Sequence, residues 1–243
     1  MVRFGALPHS GIEIEDVARL WKAGVSGSDT VSLILSGASA SEQAFKASAP
    51  GRRCLHLATH GFFLGPDCSA DSIGRGIGAI VVRDSIVSTP PAPPRPRNDS
   101  PLVLSGLALA GANRRAEADP REDDGILTSE EIASLDLSSV EWAVLSACET
   151  GVGTIKAGEG VLGLRRGLQI AGVHTAIMSL WRLGDRQARR WMRGLYDARW
   201  RRGLDTPRSI RAASLEMLQD ARAHGRTTHP SNWGAFIAVG DWR

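Results

Sequence analysis

Short apolar runs rich in β-branched residues alternate along this chain with segments of helical period, the pattern of strands and crossover helices in a parallel α/β sheet. The spacing predicts a first helix from Ile12 to Ala23, a strand over Val31 to Leu35, and a short helix from Ser41 to Ala47 opened by a serine cap. Arg53 to His60 reads as a buried strand that ends at Gly61. Later strands are expected at Val140 to Ala147, Thr175 to Trp181 and Trp233 to Val239. Helices are expected at Glu159 to Ala171, Asp185 to Arg202 and Thr206 to Ala223. Residues 88–101 hold half of the twelve prolines, which neither a helix interior nor a central strand accepts, so they form an exposed loop. That loop lies in a loop-rich insertion from roughly Gly65 to Asp136, between the strand that ends in His60 and the strand that precedes Cys148. Within it, Leu102 to Leu109 and Gly125 to Thr128 are expected to pair as a hairpin around the charged run Arg114 to Asp124, followed by a helical turn at Ser129 to Ser134.

With 243 residues, 42% of them hydrophobic and 23% charged, the chain can bury one large core, and residues 1–243 read as a single domain. The net charge of +3 is too small to imply nucleic-acid binding by itself. From Arg165 to Arg211, however, there are twelve arginines with Trp191 and Trp200 among them. That cluster fits either a nucleic-acid or acidic-partner surface or the solvated faces of amphipathic helices.

Cys54, Cys68 and Cys148 are an odd number with no CxxC spacing. They argue against a disulfide framework and a structural zinc, and for a reduced, cytoplasmic setting. No apolar run approaches the ~20 residues of a membrane span, and the N-terminus lacks a secretory layout, so a soluble chain is expected. Met1 to Leu7 shows no helix or strand pattern, as in a chain cut from a longer protein.

The chemistry concentrates at two strand ends, Leu57 to Gly61 and Val144 to Gly151. Residues at the carboxyl ends of adjacent parallel strands converge in one crevice, where α/β proteins place their sites, so His60 and Cys148 can meet there. A thiol becomes a strong nucleophile as the thiolate, and a neighbouring imidazole can take its proton or hold the anion. The backbone N–H groups of Gly61 and Cys148 are placed to serve the oxyanion. Taken singly, a strand-end cysteine is usually a small buried apolar residue and a histidine beside glycine a hydrogen-bonded structural one. The joint pattern is what carries weight. His56 and His60 have the i, i+4 spacing of a zinc-binding helix, but the run is strand-like and lacks the glutamate such a motif needs, so neither a metal nor another cofactor is expected. Gly74 to Gly78 and Gly151 to Lys156 lack the full spacing of a phosphate loop and read as turns.

The sequence resembles the CHAT domain, a relative of caspases and separases among the cysteine peptidases that carry His-Gly and Ala-Cys motifs. The resemblance rests on Leu7-Pro8 with Glu13 and Glu15, His56 to Phe63, Pro101 to Leu107, Leu145 to Gly151, Gly158 to Leu164, Ser179 to Trp181, and His229-Pro230 with Trp233 to Phe236. It implies a caspase-like fold, a mostly parallel sheet flanked by helices in three αβα layers. It also implies a cysteine endopeptidase acting on a protein or peptide substrate in bacterial signalling, defence or regulated cell death, with His60 and Cys148 as the catalytic pair. Ser179, Leu180 and Trp181 then resemble the strand edge that pairs with an extended substrate in caspase relatives. Asp185 has two readings, a carboxylate in the pocket before the cleaved bond, favouring a basic residue, or a helix cap.

The chain departs from the family where Arg182 to Asp185 replaces a non-basic residue and two acids. It also carries no TPR-type repeats upstream, so an upstream regulatory region or a separate regulator is the partner the family implies. A non-proteolytic interaction or scaffold module is the alternative function.

Overall fold

The computed structural model describes residues 3–25, 31–63, 100–118, 123–146, 159–181 and 183–241. Its main sheet has four strands in the order β1 (Cys54–Leu57), β5 (Trp142–Leu145), β6 (Thr175–Ser179), β7 (Phe236–Gly240). The first three run parallel, and β7 pairs antiparallel to β6. A second, antiparallel sheet joins β2 (His60–Phe63), β3 (Ser105–Ala108) and β4 (Ile126–Thr128).

The two central strands show why the apolar runs are continuous. Side chains alternate across a strand, so a strand covered on both faces must be apolar at every position. Ala143, Leu145, Ala176 and Met178 point into a core with Phe45 of α2 (Glu42–Ser48) and Ala49 just after it, Ile132 of α4 (Ser129–Ala133), and Leu164 and Leu168 of α5 (Glu159–Ile170). Trp142, Val144 and Ile177 point the other way, into a core with Val17 of α1 (Ser10–Gly24), Trp191 and Leu195 of α6 (Asp185–Tyr196) and Ala213 of α7 (Thr206–Ala223). The result is the expected α/β, three-layer, caspase-like architecture. Among the described residues no helix is long and apolar enough to cross a membrane.

Local chemistry sets most boundaries. Ser41 caps α2 by accepting the Ala44 N–H at 3.1 Å, and Asp205 caps α7 by accepting that of Arg208 at 2.8 Å. Thr128 and Glu131 close a reciprocal capping box at the start of α4. On α6, Ala188, Trp191, Met192 and Leu195 form the buried stripe. Its arginines turn outward, where Arg189 binds Asp16 of α1 at 2.8 Å and Arg190 binds Asp220 of α7. Part of the arginine-rich surface is therefore engaged in ion pairs that tie α6 to α1 and α7.

Three expectations need correction. The run Arg53 to His60 is not one strand: the parallel strand stops at Leu57, and after a bend at Ala58 and Thr59 the chain enters the second sheet at His60. Leu102 to Leu104 belong to a helical turn, α3 (Pro101–Leu104), entered through a serine cap and a proline, and only Gly106 to Ala108 pair with β4. Val31 to Leu35 forms no strand, and Val31 and Leu33 are 75% and 50% exposed. An apolar alternation states which residues gain from burial but supplies no ladder partner, and this segment lies across a cavity from β1, the edge strand of the main sheet, instead of hydrogen-bonding to it. The proline loop through residue 99, Cys68 and both glycine turns lie outside the described residues.

A charged cluster around the buried Glu42 fastens α2 to the turn before β4. The Lys46 ammonium bonds Glu42 at 2.6 Å, Glu131 at 2.9 Å and Asp123 at 3.1 Å, while the second Glu42 oxygen accepts the Gly125 N–H at 3.1 Å. Burial pushes the Glu42 carboxyl up from 4.5 to about 7, against the opposing pull of Lys46. A carboxyl raised in the folded state favours folding while it is protonated. Its contribution is full below pH 4.5 and is lost as pH rises through about 7. Urea midpoints measured from pH 5 to pH 8 are therefore expected to fall more steeply for the native chain than for Glu42→Gln; parallel curves would contradict this.

Candidate active site

The site is built where β1 and β5 end side by side. Leu57 is in register with Leu145, and one residue later the Ser146 N–H donates to the Leu57 carbonyl at 3.0 Å. From this shared end, His60 lies three residues along one chain segment and Cys148 three residues beyond Leu145 along the other. Cys148 itself lies outside the described residues. The strands that precede the two motifs, β1 and β5, are adjacent and parallel.

His60 is 8% exposed and opens β2 opposite Ala108 of β3, with the Thr59 hydroxyl bonded to the Ala108 carbonyl just before it. Its Nε2 lies 2.7 Å from the Gly5 carbonyl oxygen. A carbonyl can only accept, so Nε2 carries a proton, and in the neutral ring Nδ1 is the basic nitrogen. The Phe4 ring packs on the imidazole with centroids 5.7 Å apart. Gly61 follows in β2 opposite Leu107.

Ser179 ends β6 against Phe236, and the Leu180 N–H donates to the Ala235 carbonyl at 2.8 Å. The Trp181 indole N–H donates to the Ser231 carbonyl at 3.0 Å. Among the described residues the β5–β6 ladder runs from Trp142 and Thr175 to Leu145 and Met178. Asp185 is the first residue of α6, and its Oδ2 accepts the His9 N–H at 2.8 Å. One carboxylate oxygen thus fastens the start of α1.

His56 and His60 lie on different sheets and reach different partners. His56 Nε2 is 2.9 Å from Glu13 Oε1, and Nδ1 is 2.9 Å from the Tyr196 hydroxyl. Cys54, on the same strand, lies 3.8 Å from that hydroxyl, and burial pushes its thiol up to about 12. Cys54 is thereby an inert thiol at neutral pH. Among the described residues no group of three or more His, Cys, Asp or Glu side chains gathers as a metal site. A cavity of about 720 Å³ runs along the edge of β1 that pairs with no strand among the described residues, from Trp21 and Arg53 at one end to Phe4 and His60 at the other.

A family model for the CHAT domain matches residues 1–241. The chain belongs to the CHAT family. A search of the curated proteins found no match. Membership in this caspase-related family accounts for the paired strand ends and for the three-layer sheet. In this CHAT domain, sequence reasoning missed the Gly5 carbonyl against His60 and the side chain of Asn113, which holds the neighbouring residue Phe4. A backbone acceptor leaves no residue-type signal, and Asn113 stands just before the charged run Arg114 to Asp124 with no motif around it.

Proposed function

We propose that this CHAT domain is a cysteine endopeptidase that uses Cys148 as nucleophile and His60 as acid and base. The observation that supports it best is the orientation of His60: with Nε2–H held by the Gly5 carbonyl, Nδ1 is the nitrogen that exchanges the proton. Cys148 Sγ attacks the scissile carbonyl carbon while His60 Nδ1 takes the thiol proton, and the backbone N–H groups of Gly61 and Cys148 receive the oxyanion. The C–N bond then breaks as His60 returns that proton to the leaving amine. Water attacks the thioester carbon and gives a proton to the same nitrogen; the C–S bond then breaks as His60 returns that proton to sulfur, which restores the thiol and frees the new carboxyl end of the substrate. The substrate lies extended along Ser179 to Trp181 on the side away from β7, and Asp185 favours a basic residue before the cleaved bond.

Labelling by a panel of peptidyl acyloxymethyl ketones, read by mass spectrometry of tryptic peptides, tests the assignment. The adduct is expected on Cys148 and not on Cys54, whose buried thiol serves as an internal control. Basic peptides are expected to label fastest. Failure of every probe at Cys148 would leave the domain as a non-proteolytic binding module.

A further inference from the structure

The N-terminal segment, residues 3–9, crosses the site as a strap pinned at three points. Its far end is held by the His9 N–H on Asp185, and its middle by the Gly5 carbonyl on His60. Among the described residues, the side chain of Asn113 holds the near end: the Phe4 N–H donates to Asn113 Oδ1 at 2.9 Å, and Asn113 Nδ2 donates back to the Phe4 carbonyl at 3.0 Å. A primary amide is the neutral side-chain group that offers a donor and an acceptor side by side, so it can satisfy both backbone groups of one residue.

Asn113 is itself firmly placed. It lies in a 3₁₀ turn, Ala112–Glu117, entered through Gly111 at φ 101°. Before that turn, the Leu109 N–H bonds the Gly125 carbonyl at 2.7 Å and the Ala110 N–H bonds the Ala40 carbonyl at 2.9 Å. Gly125 packs so closely that a Cβ there would lie 2.3 Å from the Ala112 nitrogen. The turn therefore follows β3 rigidly, and β3 is the strand that pairs with His60. A closed ring results: His60 to Ala108 across the ladder, Ala108 to Asn113 along the chain, Asn113 to Phe4, and Gly5 back to His60.

Gly5 is the weak member of this ring. It is exposed, has no neighbour within 4 Å of where a Cβ would stand, and as glycine has the widest backbone freedom. Its carbonyl stays on Nε2 only while the residue before it is held. We infer that Asn113 is a positioning residue for His60, acting through Phe4 and Gly5 to fix which imidazole nitrogen carries the proton. The inference rests on His60 being the acid and base, yet its structural part can be tested without any substrate.

The experiment is a double-mutant cycle between Asn113→Ala and removal of residues 1–5, with two readouts. The first is the pair of His60 ¹⁵N shifts: the native chain is expected to show one protonated and one unprotonated nitrogen, and both variants an averaged pattern. The second is inactivation by the acyloxymethyl ketone probe. Its maximal rate is expected to fall about 10- to 100-fold in Asn113→Ala with the half-saturating concentration unchanged, the range usual for groups that orient a reactive side chain. In the truncated chain, Asn113→Ala should add nothing further. Native ¹⁵N shifts in Asn113→Ala, or an equal rate loss from Asn113→Ala in the full and the truncated chain, would overturn the inference. A native chain that shows the single tautomer but is never labelled would sink the peptidase reading and leave the positioning role standing.

Discussion

His60→Gln is expected to lower the rate of Cys148 acylation by about 10³-fold, a loss typical of removing a general acid and base. Glutamine is the informative replacement because its Nε2 can still donate to the Gly5 carbonyl, which His60 Nε2 approaches to 2.7 Å. The strap and β2 should keep their places while the proton-exchanging nitrogen is lost. His60→Ala, in contrast, opens a cavity beneath Phe4, whose ring centroid is 5.7 Å away, and mixes a packing loss with a chemical one. The pair of variants separates the two: equal rates for glutamine and alanine, with unchanged melting of the glutamine form, support a chemical role. If His60→Gln is labelled at Cys148 as fast as the native chain, His60 is not the acid and base.

How much of this was legible depends on which interactions a residue pattern records. Runs such as Trp142 to Leu145 and Ala176 to Met178 are apolar at every position because both faces are covered, so burial itself writes the signal. Helix α7 is bounded as expected, with Asp205 as its cap and the buried Ala213 and Leu218 inside it. The break between Leu57 and His60 was hidden, because a change of sheet alters the hydrogen-bond partner and not the apolar character of the residues. The pairing of Val31 to Leu35 was over-read for the converse reason: its alternation is strand-like, but edge pairing depends on a backbone elsewhere.

At the site, the motifs were legible and the geometry was not. His60 stood out beside Gly61, whereas the Gly5 carbonyl that orients it belongs to a residue with no side chain to notice. Asp185 was ambiguous in the sequence because an acid at a helix start serves as a cap or a ligand group equally well. Its bond to the His9 N–H gives it a structural task that no local pattern records, since the two lie 176 residues apart.

The second large effect is expected in the interior, at the chain Glu13–His56–Tyr196. Glu13 is 1% exposed, and its Oε1 meets His56 Nε2 at 2.9 Å. The other imidazole nitrogen meets the fully buried Tyr196 hydroxyl, also at 2.9 Å. The three residues come from α1, β1 and α6, so one imidazole joins the first helix, the strand that leads to His60, and the helix that begins at Asp185. Burial holds the Tyr196 phenol well above its usual range, so it stays neutral and serves as a hydrogen-bonding post. His56→Phe fills much the same volume but leaves the Glu13 carboxylate and the Tyr196 hydroxyl buried without the imidazole. Stranding a buried charge in this way costs about 3–5 kcal/mol. For a chain of this length, each kcal/mol lowers the melting temperature by about 2–4 °C, so a fall of at least about 6 °C is expected. Glu13→Gln keeps an acceptor for Nε2–H and removes the carboxylate, so it should cost less, and the double variant Glu13→Gln with His56→Phe should recover part of the loss. Calorimetry of the four proteins decides it: a His56→Phe chain that melts with the native one would show that this network adds nothing to the hold of α1 on β1.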